Sequence, residues 1–235
     1  MHGKTVIITG ASKGIGRALA EQFAAEGCSL LLCARTESTL QNSIKEMKSQ
    51  NPQAHIQGMV ADLAGKAGVD TFGKWCLQQG RPHILVNNAG TYLPGNIKDE
   101  AEGNMEQMMN TNFYSAYYLT RCLLPAMLQQ GTGHIFNICS IAALHAYDGG
   151  GSYSISKYAM DGFSKNLRHE LKDTGIKVTA VFPGAVLTDS WGNYDNSSKR
   201  IMEASDVATM VLAATKLSQQ AVVEDIIMRP QLGDL

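Results

Sequence analysis

Apolar residues in this chain gather into short dense runs. The runs are separated by longer stretches in which apolar positions recur every three or four residues. The dense runs are "TVIIT" (5–9), "SLLLCA" (29–34), "HIQGMVA" (55–61), "HILVN" (83–87), "HIFNICS" (134–140), "KVTAVF" (177–182) and "VVEDIIM" (222–228). They are rich in β-branched residues and leucine and mostly apolar at successive positions. That pattern fits strands covered on both faces. Helical spacing occupies the intervals. Ile15, Leu19 and Phe23 mark a helix over 14–26, and a polar surface helix follows over 36–49. Segments 103–130 and 151–173 read as long helices rich in alanine, tyrosine, leucine and methionine. A last helix over 205–217 opens with Ser205 and Asp206 as N-cap and first-turn residues.

Strands alternating with helices imply right-handed βαβ crossovers and a parallel sheet. The predicted fold is α/β: one Rossmann-type, doubly wound domain over residues 1–235, with about seven parallel strands and helices on both faces. No linker, internal repeat or low-complexity tract interrupts it. The least regular span, 189–204, follows the sixth strand, on the edge where such sheets bind ligands.

Composition narrows the function. Of 235 residues, 44% are apolar and 17% charged, which suits a chain with a large core. A net charge of −1 argues against nucleic acid or an anionic membrane as the main partner. The five cysteines include no C-x-x-C pair and the six histidines no H-E-x-x-H pattern, so no metal site is predicted. No apolar run approaches the ~20 residues that span a bilayer. The chain reaches its first strand by Thr5 without a basic-then-apolar leader, so a cytoplasmic protein is expected.

The first candidate chemistry is "TGASKGIG" (9–16), between the first strand and the first helix. Gly10, Gly14 and Gly16 stand where a dinucleotide loop needs a tight turn, close approach of the backbone to a pyrophosphate and helix-on-strand packing. Ser12, Lys13 and Ile15 complete the loop. The N–H groups at the helix N-terminus then face the phosphates. After the second strand the chain reads "LLLCARTES". An acid there would bond a ribose 2′-hydroxyl; instead Arg35 follows Cys33 and Ala34, and Lys13 adds a second cation. A guanidinium grips a phosphate through parallel hydrogen bonds. NADP(H) is therefore predicted over NAD(H).

"TGASKGIG", "NNAG" (87–90), "SYSISK" (152–157) and "PGAVLT" (183–188) together resemble the short-chain dehydrogenase/reductase family in order and spacing, over about the whole chain. The resemblance implies four catalytic residues. Ser140 lies thirteen residues before Tyr153, Lys157 completes Y-x-x-x-K, and Asn112 sits in "NTNFYSAY". It also implies that Asp62 and Leu63 contact the adenine, that Asn88, Ala89 and Gly90 line the cofactor, and that Pro183, Gly184, Val186 and Thr188 hold the nicotinamide. Tyr153 and Lys157 are expected to touch the cofactor as well.

Carbonyl reduction needs hydride at carbon and a proton at oxygen, and a nicotinamide supplies only the hydride. Lys157 lies one helical turn from Tyr153, where its charge favours the phenolate. Tyr153 is then the acid in reduction and the base in oxidation. Ser140 would hold the substrate oxygen, and Asn112 a water leading to Lys157. Ser140, Leu144, Tyr147, Tyr153 and Trp191 are the predicted substrate contacts, for a neutral ketone or aldehyde of modest size. "PGAVLTDSWG" and the ending "VVEDIIMRPQLGDL" resemble bacterial sepiapterin-reductase-like members, which reduce side-chain carbonyls of pterins. Alternatives are a 3-oxoacyl-thioester or general hydroxy/keto substrate, or a non-catalytic NADP(H)-sensing regulator or scaffold. Family members pair through the two long helices, so a homodimer or homotetramer is expected. "GGGSYSISK" (149–157) is not a P-loop, because Ser156 rather than glycine precedes Lys157. Gly149–Gly151 are expected to form a flexible lead-in to the catalytic helix.

Overall fold

A computed structural model describes residues 1–188, 191–192 and 194–234. Seven strands form one sheet: β1 (Thr5–Thr9), β2 (Ser29–Ala34), β3 (Ile56–Val60), β4 (Ile84–Asn87), β5 (Gly133–Ile138), β6 (Ile176–Pro183) and β7 (Asp225–Met228). The order is β3-β2-β1-β4-β5-β6-β7 and every pairing is parallel. All seven predicted runs are strands, although the last starts at Asp225 rather than 222.

Alternate strand residues feed two apolar layers. Val6, Ile8, Leu30, Leu32 and Phe136 pack with Leu19, Phe23, Leu40 and Val211, on α1 (Gly14–Ala25), α2 (Glu37–Gln50) and α7 (Ala204–Thr215). Ile7, Leu31, Leu85 and Ile135 point the other way, onto Phe72, Leu119, Leu123 and Leu167. Those belong to α3 (Lys66–Gln79), α5 (Ser115–Gln130) and α6 (Gly151–Leu171). Burial on both faces is why the strands read as continuous apolar runs rather than alternating ones. No helix among the described residues is long and apolar enough to cross a membrane.

Three elements differ from the sequence expectation. Helix α3 has no counterpart among the predicted helices. Its sequence, KAGVDTFGKWCLQQ, carries two glycines, which weaken helical propensity. Tertiary packing explains one of them: a Cβ on Gly73 would lie 2.7 Å from Cys122 Sγ, so glycine lets α3 approach α5. The predicted helix over 103–130 is not uniform. It runs as α4 (Asn104–Met109), a π-helical turn (Asn110–Tyr114) and then α5. Helix α7 is capped by Glu203, not Ser205, with Asp206 closing a reciprocal capping box. Within the irregular span after β6, Asp189, Ser190 and Asn193 lie outside the described residues.

His134, at the start of β5, is buried and stacked on Phe136. Thr179 Oγ1 donates to Val223 O at 2.6 Å, so at the 2.8 Å contact with His134 Nε2 it acts as acceptor and the ring nitrogen carries the hydrogen. Burial, aided by the charges of Lys177 and Lys4, lowers the folded-state pKa of His134 to about 3. The unfolded chain takes up this proton near the ordinary value of about 6.5, before the folded chain does. Stability is therefore expected to fall as pH drops from about 6.5 towards 3, by up to about 1.4 kcal/mol per pH unit from this group. Urea midpoints at pH 7 and pH 5 check this: His134→Gln should narrow the difference, and an unchanged difference would remove His134 as its source.

Candidate active site

Parallel strands end on one edge. From β1 the chain builds outward through β2 and β3, then crosses back to β4 on the other side of β1. Helices diverge at that reversal and open a crevice. Thr9 and Asn88, at the ends of the two strands, fasten its floor. Thr9 Oγ1 accepts from the backbone N–H of Asn88 and of Ala89, both at 2.9 Å. Asn88 Nδ2 donates to Thr9 O at 2.9 Å and to Gly10 O at 3.1 Å. The glycine loop is thereby tied to the segment after β4.

Gly16 is packed into this tie. A Cβ there would lie 2.3 Å from Gly10 O and 2.5 Å from Asn88 Nδ2, so no side chain fits. Helix α1 starts at Gly14, with no acidic residue in its first turn. Its first N–H groups have no intrahelical acceptors, an arrangement that fits a dinucleotide pyrophosphate. Across the loop, Thr188 lies against Gly14, 3.1 Å from where a Cβ would stand. Through Gly14 the glycine loop thus meets Thr188, which follows β6. Gly184 N donates to Met228 O at 2.7 Å, and buried Val186 bridges Met202, which fixes the intervening loop. Arg35 is exposed just beyond β2, and Asp62 is exposed beyond β3 with its carboxylate accepting from Ala64 N at 3.0 Å. Leu63 beside it is buried.

From Gly90 the ties continue towards α6. Asn112 sits in the π-helical turn and is fully buried. Its Oδ1 accepts from Thr91 N at 2.7 Å. Its Nδ2 donates to Thr91 O and to Ser156 Oγ, each at 2.9 Å. Ser156 Oγ in turn donates to Tyr153 O at 2.7 Å. Lys157, one turn on, is 5% exposed. Its Nζ donates to Ile138 O at 2.9 Å and stands 5.7 Å from the centroid of the Tyr153 ring. Gly90 is close by: a Cβ there would lie 3.3 Å from Asn112 Oδ1 and 3.7 Å from Lys157 Nζ. Ser140 ends the β5 segment and caps the 3-10 turn Ile141–Ala143, accepting from Ala142 N at 3.1 Å. Next to it, burial pushes the Cys139 thiol up to about 12, so it stays protonated and inert.

Two tyrosines flank Tyr153. Tyr92 meets its ring edge to face, with centroids 4.9 Å apart. Tyr147 is 46% exposed as a residue. Its phenol is nevertheless held above the usual tyrosine range, first by partial burial and then by Tyr92 and Tyr153 beside it. Tyr147 is expected from the sequence and Tyr92 is not, since it lies two residues beyond "NNAG" with no periodic signal around it. Two further predicted substrate contacts are Leu144 and Trp191; the backbone N–H of Trp191 donates to Thr188 O at 3.0 Å. Leu144 packs on the small cluster of Met160, Ala180 and Phe182, and Trp191 pairs with Tyr194 at 5.2 Å.

Comparison with known proteins agrees with this fold. The family model for short chain dehydrogenases matches residues 4–199. A sepiapterin reductase of Chlorobaculum tepidum is 34% identical over 98% of this chain and 97% of its own. An uncharacterized oxidoreductase of Staphylococcus saprophyticus is 32% identical over 98% of each. Among solved structures, a metagenomic short-chain oxidoreductase in complex with NADP superposes with a TM-score of 0.85 at 26% identity, covering 98% of both chains. L-Sorbose reductase from Gluconobacter frateurii, complexed with NADPH and L-sorbose, gives 0.87 at 27% identity, over 97% of this chain and 95% of that one. The sequence motifs, the sheet order and these likenesses lead to one assignment: this chain belongs to the short-chain dehydrogenase family of oxidoreductases.

Proposed function

We propose that this chain, acting as a single domain, is an NADP(H)-dependent reductase that converts a ketone or aldehyde to an alcohol, with Tyr153 as acid and base. One observation carries the proposal: Lys157 keeps a buried ammonium 5.7 Å from the Tyr153 ring, next to the cofactor crevice. A cation so placed attracts the negative charge that develops on the phenol oxygen as Tyr153 passes its proton to a carbonyl oxygen, and Tyr153 takes the proton back in the reverse direction. NADPH, when bound, supplies the hydride to the carbonyl carbon. Ser140 steadies the substrate oxygen close to the phenol. Lys157 uses one N–H on Ile138 O and offers others to the nicotinamide ribose and to a water. The Asn112 amide is committed to Thr91 and Ser156. Its part in the proton path falls to its main-chain carbonyl.

Preference for NADP(H) is supported by Arg35 in place of an acid after β2, and by similar proteins solved with NADP or NADPH. Asp62 and Leu63, the Asn88–Gly90 segment and the loop from Pro183 to Thr188 are the proposed adenine and nicotinamide contacts. A pterin side-chain carbonyl is the substrate proposed. Its support is the likeness to the sepiapterin reductase of Chlorobaculum tepidum and the tyrosine wall beside Tyr153, on which a flat ring can stack. Assembly as a homodimer or homotetramer is proposed through α5 and α6, where Leu128, Ile155 and Tyr158 are exposed, as is Tyr114 in the π-helical turn leading into α5. A cytoplasmic location completes the proposal.

Tyr153→Phe is expected to lower kcat for sepiapterin or another reduced carbonyl by about 10²–10⁴, with NADPH affinity by titration calorimetry unchanged within about twofold. Retained turnover would remove Tyr153 from the chemistry. Arg35→Asp is expected to weaken NADPH binding at least about tenfold while sparing NADH, as loss of a charge-assisted phosphate clamp requires. Unchanged preference in steady-state kinetics would assign 2′-phosphate recognition elsewhere.

A further inference from the structure

The segment between β4 and α4, residues 91–103, contains no regular element, yet it is fastened to the start of α6 at several points. Gly95 N donates to Gly149 O at 3.1 Å, and Gly149 N donates to Asn96 Oδ1 at 2.9 Å. Glu100 then closes the contact. Its Oε2 accepts from Ser152 N at 3.3 Å, and its Oε1 accepts a short hydrogen bond from Ser152 Oγ. Ser152 is buried. Helix α6 has no capping side chain at Gly150, so Glu100 supplies, from a different segment, the carboxylate that a helix N-terminus favours.

The three glycines are shaped by this contact. Gly149 and Gly151 have φ of 75° and 33°, a region that strains other residues. A Cβ on Gly151 would lie 2.3 Å from Gly95 O and 3.0 Å from Glu100 Oε2. A Cβ on Gly150 would lie 2.7 Å from Ser154 Oγ and 2.9 Å from Tyr147 Cε1. The expected flexible lead-in is instead a close-packed joint. It brings together the loop bearing Tyr92, the segment bearing Tyr147 and the helix bearing Tyr153 and Lys157.

We infer that Glu100 is a positioning residue: it latches the 91–103 loop to the catalytic helix and so sets how Tyr92 and Tyr147 present substrate to Tyr153. The inference rests on the reductase reading for its kinetic consequence but not for the latch itself. The contacts of Glu100 are with Asn96, Gly151 and Ser152, on the loop that bears Tyr92 and at the start of α6. Its loss therefore acts on substrate KM and kcat and leaves NADPH affinity alone. Glutamine keeps an oxygen for Ser152 N and an NH₂ for Ser152 Oγ, so it preserves the latch without the charge.

The test compares wild type, Glu100→Ala, Glu100→Gln and Gly151→Ala. Amide hydrogen exchange over 91–103 and 147–156 reads the latch without any substrate. Steady-state reduction of sepiapterin with NADPH, or of whichever carbonyl the wild type reduces, reads its effect. Glu100→Ala and Gly151→Ala should speed exchange in both segments at least about tenfold while the amides of β1 and β4 keep their protection. They should lower kcat/KM at least about tenfold with NADPH Kd unchanged, and Glu100→Gln should remain within about threefold of wild type. Unchanged exchange in Glu100→Ala, or Glu100→Gln as impaired as Glu100→Ala, overturns the inference. A wild type that shows the exchange pattern but reduces no carbonyl overturns the reductase reading and leaves the latch standing.

Discussion

The hydrogen bonds between Thr9 and Asn88 hold together the two halves of this molecule's chemistry. At that point the sheet changes direction, so the strand ends on either side have no continuous helix layer to brace them. One hydroxyl accepting two backbone N–H groups, and one amide donating to two carbonyls, close the gap. Leaving such part-buried groups unmet costs about 1–3 kcal/mol each, so the arrangement is strongly specified. On one side hangs the glycine loop, with Gly16 packed against Gly10 O and the Asn88 amide. On the other the chain passes through Gly90 and Thr91 to Asn112, then to Ser156, and ends at the backbone of Tyr153. The loop suited to the cofactor phosphates and the residue suited to give the proton are thus parts of one connected polar frame.

That frame explains why the proposed proton chemistry needs more than a tyrosine and a lysine at helical spacing. Helix periodicity puts Tyr153 and Lys157 on the same face, but Lys157 must also be withdrawn from water for its charge to act strongly. The strand end at Ile138 provides the carbonyl that accepts from it. The π-helical turn carries Asn112 into the same place by shifting its register within an otherwise regular helical segment. Glu100 performs a comparable task from the opposite direction, holding the first turn of α6 against a loop fifty-two residues earlier in the chain.

What could be read from the sequence follows from how local each signal is. The strands were legible because β1, β2, β4, β5 and β6 are buried on both faces and so leave long apolar runs. Gly16, Tyr153 and Lys157 could be singled out because the roles proposed for them depend on spacing within one turn or one loop. Helix α3 was not, since Gly68 and Gly73 depress its local propensity and answer instead to contacts with Asp62 and Cys122. Tyr92 and Glu100 were hidden for the same reason in stronger form. Each acts through a partner far along the chain, and neither the apolar pattern nor any motif around them marks it. The glycines at 149–151 looked like flexibility because their neighbours, Gly95 and Glu100, were not yet beside them.

The central claim, that hydride passes from a nicotinamide to a carbonyl carbon at this crevice, is tested most directly by isotope transfer. NADPH carrying deuterium at both C4 positions of the nicotinamide would be supplied with sepiapterin and a set of simple ketones and aldehydes in ordinary water. The products would be analysed by mass spectrometry and proton NMR. The expected product is an alcohol carrying one deuterium on the former carbonyl carbon and none elsewhere, with one NADPH consumed per alcohol formed. NADPH oxidation that leaves every carbonyl unlabelled, or no turnover with any of them, would contradict it.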